Sequence, residues 1–248
     1  MPKECAFCPC VANNAEHLFS DWMNAYVPGL KRFAHRDTET KDMKNWVSRN
    51  LDQTVKVVCE PCNNSWMSEI ENLHAKPTMG PLIEPTVDIP ITQSDANSIA
   101  LFAFKTAVIC DHMRRSYPVR FFSREVRHRF KTALEIPATV QMWFAAFAWP
   151  GQGACLTVYH DVPDPDSLKL YVCTYLIGHF VFQVVASRKP VSWLIRPGGA
   201  AFENMAIPFW PSIPSGFMWP AKGGLTTATE FRNFAQRWNR IDVYKVNP

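Results

Sequence analysis

Cys59-Glu60-Pro61-Cys62-Asn63-Asn64 is a Cys-x-x-Cys knuckle that runs directly into two carboxamides. A second knuckle, Cys5-Ala6-Phe7-Cys8, lies upstream, and the pair Glu16-His17 falls between them. Two such knuckles supply four thiolates, the ligand set of a tetrahedral structural zinc site, because a two-residue spacer lets both sulfurs face one ion. Cys5, Cys8, Cys59 and Cys62 are therefore the expected zinc ligands, with Cys10 able to replace Cys8 or stand as a spare. Residues 9–58 separate the knuckles, farther than in a simple zinc ribbon, which predicts an inserted structural unit. The carboxylate, imidazole and carboxamides beside them are groups that can hold a hard cation and activate water.

Working outward, Thr54-Val55-Lys56-Val57-Val58 alternates and is β-branched, a strand that delivers Cys59. Asn64 or Ser65 is expected to cap the helix that follows, with Trp66, Ile70 and Leu73 on one face. Residues 18–26 read as a short helix; Trp22, Trp66 and Met67 are read as a small core around the zinc. Lys76-Pro77-Thr78-Met79-Gly80-Pro81-Leu82-Ile83-Glu84-Pro85 has the proline density of an extended connector, since proline disfavours helix at itself and at the residue before it. The expected organisation is α+β: a domain over 1–80, then a larger one over 90–248. In the second, residues 94–115 and 124–134 read as helices. Segments 138–149, 154–160, 168–176 and 179–186 read as an antiparallel sheet with a hairpin at Gly178. A terminal helix over 226–238 and a strand over 241–246 complete it.

Of the 248 residues, 47% are hydrophobic, enough for a sizeable core, and the net charge of +4 is compatible with a polyanionic partner without demanding one. Met1-Pro2-Lys3-Glu4-Cys5 lacks the apolar stretch of a signal peptide, and no run approaches the ~18 apolar residues that span a bilayer. A soluble protein of a reducing cytoplasm, with no membrane partner, is expected, where paired Cys-x-x-Cys units mean metal rather than disulfides. No Gly-rich phosphate loop occurs among the ten glycines, which argues against ATP hydrolysis.

The stretches Cys5-x-x-Cys8, Glu16-His17-Leu18-Phe19 with Trp22, and Val57-Val58-Cys59-x-x-Cys62-Asn63-Asn64-Ser65-Trp66-Met67-Ser68-x-x-Glu71 resemble the HNH nucleases of the ββα-metal class, in their four-cysteine zinc subgroup. The resemblance covers roughly the first 75 residues. It implies an endonuclease that hydrolyses DNA phosphodiester bonds, in a bacterial or phage-defence setting. His17 would be the general base, Glu16 a ligand to one Mg²⁺ or Mn²⁺ ion, and Asn63 the second protein ligand to it. Structural Zn²⁺ would occupy the cysteines. Two departures stand out: the pair is Glu-His where many members have Asp-His, and Thr54, flanked by Gln53, occupies the position of the Asn that orients the histidine.

Each site residue also has a plainer reading: His17 as a capping or core histidine, Glu16 as a first-turn charge, Asn63 as a cap. A non-catalytic zinc module that binds nucleic acid or protein on a degenerate nuclease scaffold is the rival function. An open-zinc hydrolase is disfavoured because four thiolates close the ion's shell. Arg114, Arg115, Arg120, Arg124, Arg127, Arg129 and Lys131 form the densest basic stretch, and Arg114, Arg115, Arg124 and Arg127 are the candidate phosphate contacts, with a solvated helix face as the alternative. The C-terminal part would position substrate, bind a protein partner or pair with a second copy. Cys110, Cys155 and Cys173 are read as core thiols, and Cys110-Asp111-His112 as the end of a buried helix.

Overall fold

The computed structural model describes residues 3–27, 29, 31–36, 43–113, 120–148, 153–161, 169–188, 193–197, 202, 204–220, 223–239 and 241–245. It is a mixed helix-and-sheet protein. Strand β1 (Asn14–His17) pairs antiparallel with β4 (Thr54–Val58), and the chain between them makes a 3₁₀ turn (Asp21–Ala25) and an antiparallel hairpin of β2 (Lys31–Arg36) and β3 (Met43–Ser48). This hairpin is the inserted unit that the long knuckle spacing required.

Helix α1 follows β4 directly and runs over residues 60–83, with π-type turns at Asn63–Met67 and Ile70–Ala75 and a kink at Ser65. Two expectations fail here. The helix starts at Glu60, so neither Asn64 nor Ser65 caps it; Cys59 sits at the N-cap, and Asn13 supplies the capping oxygen to the Glu60 N–H at 3.1 Å. Residues 76–83 are helical despite Pro77 and Pro81. An interior proline costs about 3 kcal/mol. Burying Met79, Leu82 and Ile83 fully, at roughly 1.5–3 kcal/mol each, outweighs it. The π turns also change the helical face: Ile70 is buried, whereas Leu73 is 68% exposed, because each wide turn rotates later residues away from a 3.6 period.

Helix α2 (Gln93–Met113) is buried over most of its circumference. One flank meets α1 and strand β4 of the β1–β4 pair; the other lies on a five-stranded antiparallel sheet in the order β11-β6-β9-β8-β7. These strands are β6 (Val140–Ala146), β7 (Gly153–Asp161), β8 (Lys169–Ile177), β9 (Phe180–Ser187) and β11 (Ile207–Trp210), with β10 (Trp193–Pro197) pairing β13 (Ile241–Lys245) apart from the sheet. Short β5 (Ile89–Pro90) and β12 (Met218–Trp219) pair beside α2. The β8–β9 hairpin turns at Gly178 with φ +56°, a left-handed conformation that glycine adopts without steric cost. Tyr171, Cys173, Tyr175, Phe180 and Phe182 face α2, while Leu176 and Val181 face Phe231 and Phe234 of α4 (Ala228–Ala235). Covered on both faces, β8 and β9 read as continuous apolar runs rather than alternating ones. Helix α3 (Arg124–Ala133) closes the first knuckle from outside.

The apolar cluster is continuous from Cys5 and Phe7 through α2 to Phe209 and Trp219. Asp111 and His112 follow the plain reading: Asp111 accepts from the Phe121 and Phe122 amides and the Tyr159 hydroxyl, and His112 Nδ1 lies 2.9 Å from the Val108 carbonyl. No helix among the described residues is long and apolar enough to cross a membrane.

Candidate metal centre and polar groove

The two knuckles converge. Cys5, Cys8, Cys59 and Cys62 are buried, and their four sulfurs lie within 4.8 Å of one another, with Cys8 Sγ 3.5 Å from Cys59 Sγ and 3.7 Å from Cys62 Sγ. Sulfurs bonded at about 2.3 Å to one tetrahedral ion stand about 3.8 Å apart, so this donor set fits a zinc ion. Cys10 is exposed and outside the group. The Phe7 N–H points at Cys5 Sγ at 3.5 Å. Burial raises the Cys5 thiol to about 11, whereas Cys8 falls to about 7: burial opposes its charge, but hydrogen bonds from the Cys10 backbone and the neighbouring thiols outweigh it. At Lys131 burial also opposes the charge, but the adjacent Cys62 and Cys8 sulfurs win and raise its proton affinity. That cation offsets part of the negative charge that four thiolates bring. An edge-to-face ladder of rings, Phe7–Trp66 at 4.9 Å, Trp66–Phe130 at 5.7 Å and Phe130–Phe104 at 4.8 Å, ties the knuckles to α2 and α3.

Next to the cysteines, β1 and α1 bound an open polar groove of about 180 Å³, roomy enough to admit water. Glu16, His17 and Asn63 all line it, so the three residues singled out in the sequence meet at one place. Asn64, Asp21, Ser68 and Glu71 complete the lining. His17 is exposed at the end of β1, directly opposite Thr54 in the antiparallel register, which puts both side chains on the same face. Among the described residues no hydrogen bond fixes its ring. Asn63 donates through Nδ2 to Asn14 Oδ1 at 2.8 Å, a bond that does not use its side-chain carbonyl oxygen.

Lys105 of α2 was not legible as a site residue. It is fully buried and bonds Glu16 Oε1 at 2.8 Å and Glu71 Oε1 on the other side. Burial lowers its proton affinity, but the Glu16 and Glu71 carboxylates outweigh that and raise it, so it stays an ammonium. Glu16 is itself only 3% exposed. Counting formal charge, three carboxylates (Glu16, Glu71, Asp21) and one ammonium leave two net negative charges, the complement of one divalent cation. A lysine inside an apolar helix reads as a core-facing anomaly, and that oddity was the only signal for it.

Among the described residues, the cations of the basic stretch have unlike partners. Arg124 pairs with Glu4 at 3.1 Å, both largely exposed. Arg127 bonds the Ala6 and Phe122 carbonyls, and burial lowers its proton affinity; it fastens α3 to the first knuckle. Arg114 and Arg115 lie outside the described residues. Comparison with family models, curated proteins and solved structures gave no match.

Proposed function

We propose that this chain is a metal-dependent endonuclease of the HNH type that hydrolyses phosphodiester bonds in DNA. The observation that carries the reading is the convergence of Glu16, His17 and Asn63 in one polar groove, at the seam of a strand pair and helix stapled by four cysteines. Glu16 and Asn63, with Glu71 and Asp21 beside them, would hold one Mg²⁺ or Mn²⁺ ion; a hard cation of that kind takes oxygen ligands and, when bound, offsets charge on a phosphate and its departing oxygen. His17, exposed and lining the groove, takes the proton from an attacking water. Lys105 holds the carboxylates of β1 and α1 at a fixed spacing. Zn²⁺ in the tetrad supports the fold and takes no part in the chemistry, since four thiolates leave it no open position. Arg124, together with Arg114 and Arg115, is assigned to phosphate contacts, and the C-terminal sheet to positioning substrate or partner.

The test is cleavage of supercoiled plasmid and single-stranded DNA in Mg²⁺ and in Mn²⁺, wild type against His17→Ala. Loss of a general base lowers the rate roughly 10²–10⁴-fold. Melting should be unchanged, because the side chain is exposed. Cutting that survives in the variant removes His17 from the mechanism. The tie between Glu16 and Lys105 favours the rival reading, a non-catalytic zinc module, because it gives Glu16 a structural task. Binding of Mn²⁺ beyond the tight zinc, abolished in Glu16→Gln, decides for the enzyme; no binding decides for the module.

A further inference from the structure

Cys110, Cys155 and Cys173 are distant in sequence, yet the fold gathers them. Cys110 lies near the C-terminal end of α2, Cys155 near the start of the edge strand β7, and Cys173 on β8 next to it. Cys155 Sγ is 3.4 Å from Cys110 Sγ and 4.0 Å from Cys173 Sγ, and all three sulfurs lie within 4.8 Å of one another. Donors bonded at about 2.3 Å around one atom stand about 4.0 Å apart in a trigonal plane and about 3.8 Å apart in a tetrahedron. The trio has that spacing. A cluster of several irons would have to stand between its cysteines and would hold them farther apart. A disulfide would draw two sulfurs to about 2.05 Å.

We propose that Cys110, Cys155 and Cys173 form a second metal site, distinct from the four-cysteine group, which takes a single soft monovalent cation of the copper(I) class. The donor set is sulfur alone: among the described residues no imidazole or carboxylate joins it. Of the phenols on the same sheet face, Tyr159 donates to Asp111, Tyr175 to the Leu18 carbonyl and Tyr171 to the Ala107 carbonyl, with the Tyr171 oxygen also within hydrogen-bonding reach of Cys173. Magnesium and calcium require oxygen ligands, so they are excluded. Zinc on three protein ligands keeps a fourth position that needs a water or another donor. Three thiols satisfy a soft monovalent ion with no further ligand. Exchange of one thiol proton for that ion also leaves the buried site electrically neutral, which the apolar surroundings of Cys110 and Cys173 demand. Cys155, half-buried at the sheet edge, gives the ion its way in.

The experiment uses the full chain, reduced and loaded with zinc, titrated with copper(I) against a chromophoric copper(I) chelator while zinc release is followed. The expected result is uptake of one copper per chain with zinc retained, and loss of that uptake in both Cys155→Ser and Cys173→Ala. Uptake matched by zinc release would place the copper at the tetrad and overturn the proposal, as would unchanged uptake in folded variants or no uptake at all. Should Cys173→Ala fail to fold, Cys155→Ser decides alone, because its side chain is only half-buried at an edge.

Discussion

Replacing Lys105 by methionine would leave Glu16 and Glu71 facing each other without their shared cation. Breaking a buried ion pair by removing one partner costs about 3–5 kcal/mol, because a desolvated charge is left uncompensated. Chemical denaturation of Lys105→Met should show a loss of that size, and Lys105→Met combined with Glu71→Gln should recover a measurable part of it. Additive losses in the double variant would mean that Glu71 is not coupled to the lysine. Much of the groove was legible at this scale. Glu16, His17 and Asn63 carry their chemistry in their side chains and sit at fixed offsets from cysteines. Lys105 does not: its partners are 89 and 34 positions away, and nothing local in α2 announces them.

At the scale of elements, local pattern was a good guide where one face decides the structure. Strand β4 and the β8–β9 hairpin lie close to where alternation and Gly178 put them, and helices α2 and α3 close to the expected 94–115 and 124–134. It failed where packing overrides propensity, as in residues 76–83, and where the helix changes its pitch. The wide turns of α1 give a sharp contrast to measure. Truncating buried Ile70 to alanine should cost about 2–5 kcal/mol. Leu73→Ala, on a side chain 68% exposed, should stay within about 0.5 kcal/mol. Equal losses would restore a regular helical face with both residues inward. The short strands β5 and β12 had no signal of their own, since pairs of two residues are defined by their partner rather than by pattern.

For the whole molecule, the unbroken core means that the cysteine tetrad and the sheet are parts of one packed body. Zinc binding to such sites is worth about 10–16 kcal/mol and is coupled to folding. Chelation, or Cys59→Ser, should therefore lower the melting temperature of the chain as a whole, and two separate transitions would show that the tetrad folds independently. One strut makes the connection concrete. Helix α1 leaves the second knuckle at Cys59 and ends with the Ile83 carbonyl accepting the His179 N–H of the β8–β9 turn at 2.9 Å, with Trp219 Nε1 on the Leu82 carbonyl at 3.0 Å. Its two ends are thus held by unlike fastenings, the cysteine tetrad at one and a hairpin at the other. Amide hydrogen exchange at His179 becomes a remote gauge of the knuckles: when the metal is withdrawn, the strut loses its footing, and the turn at its far end should exchange faster although no atom of it touches a cysteine of the tetrad.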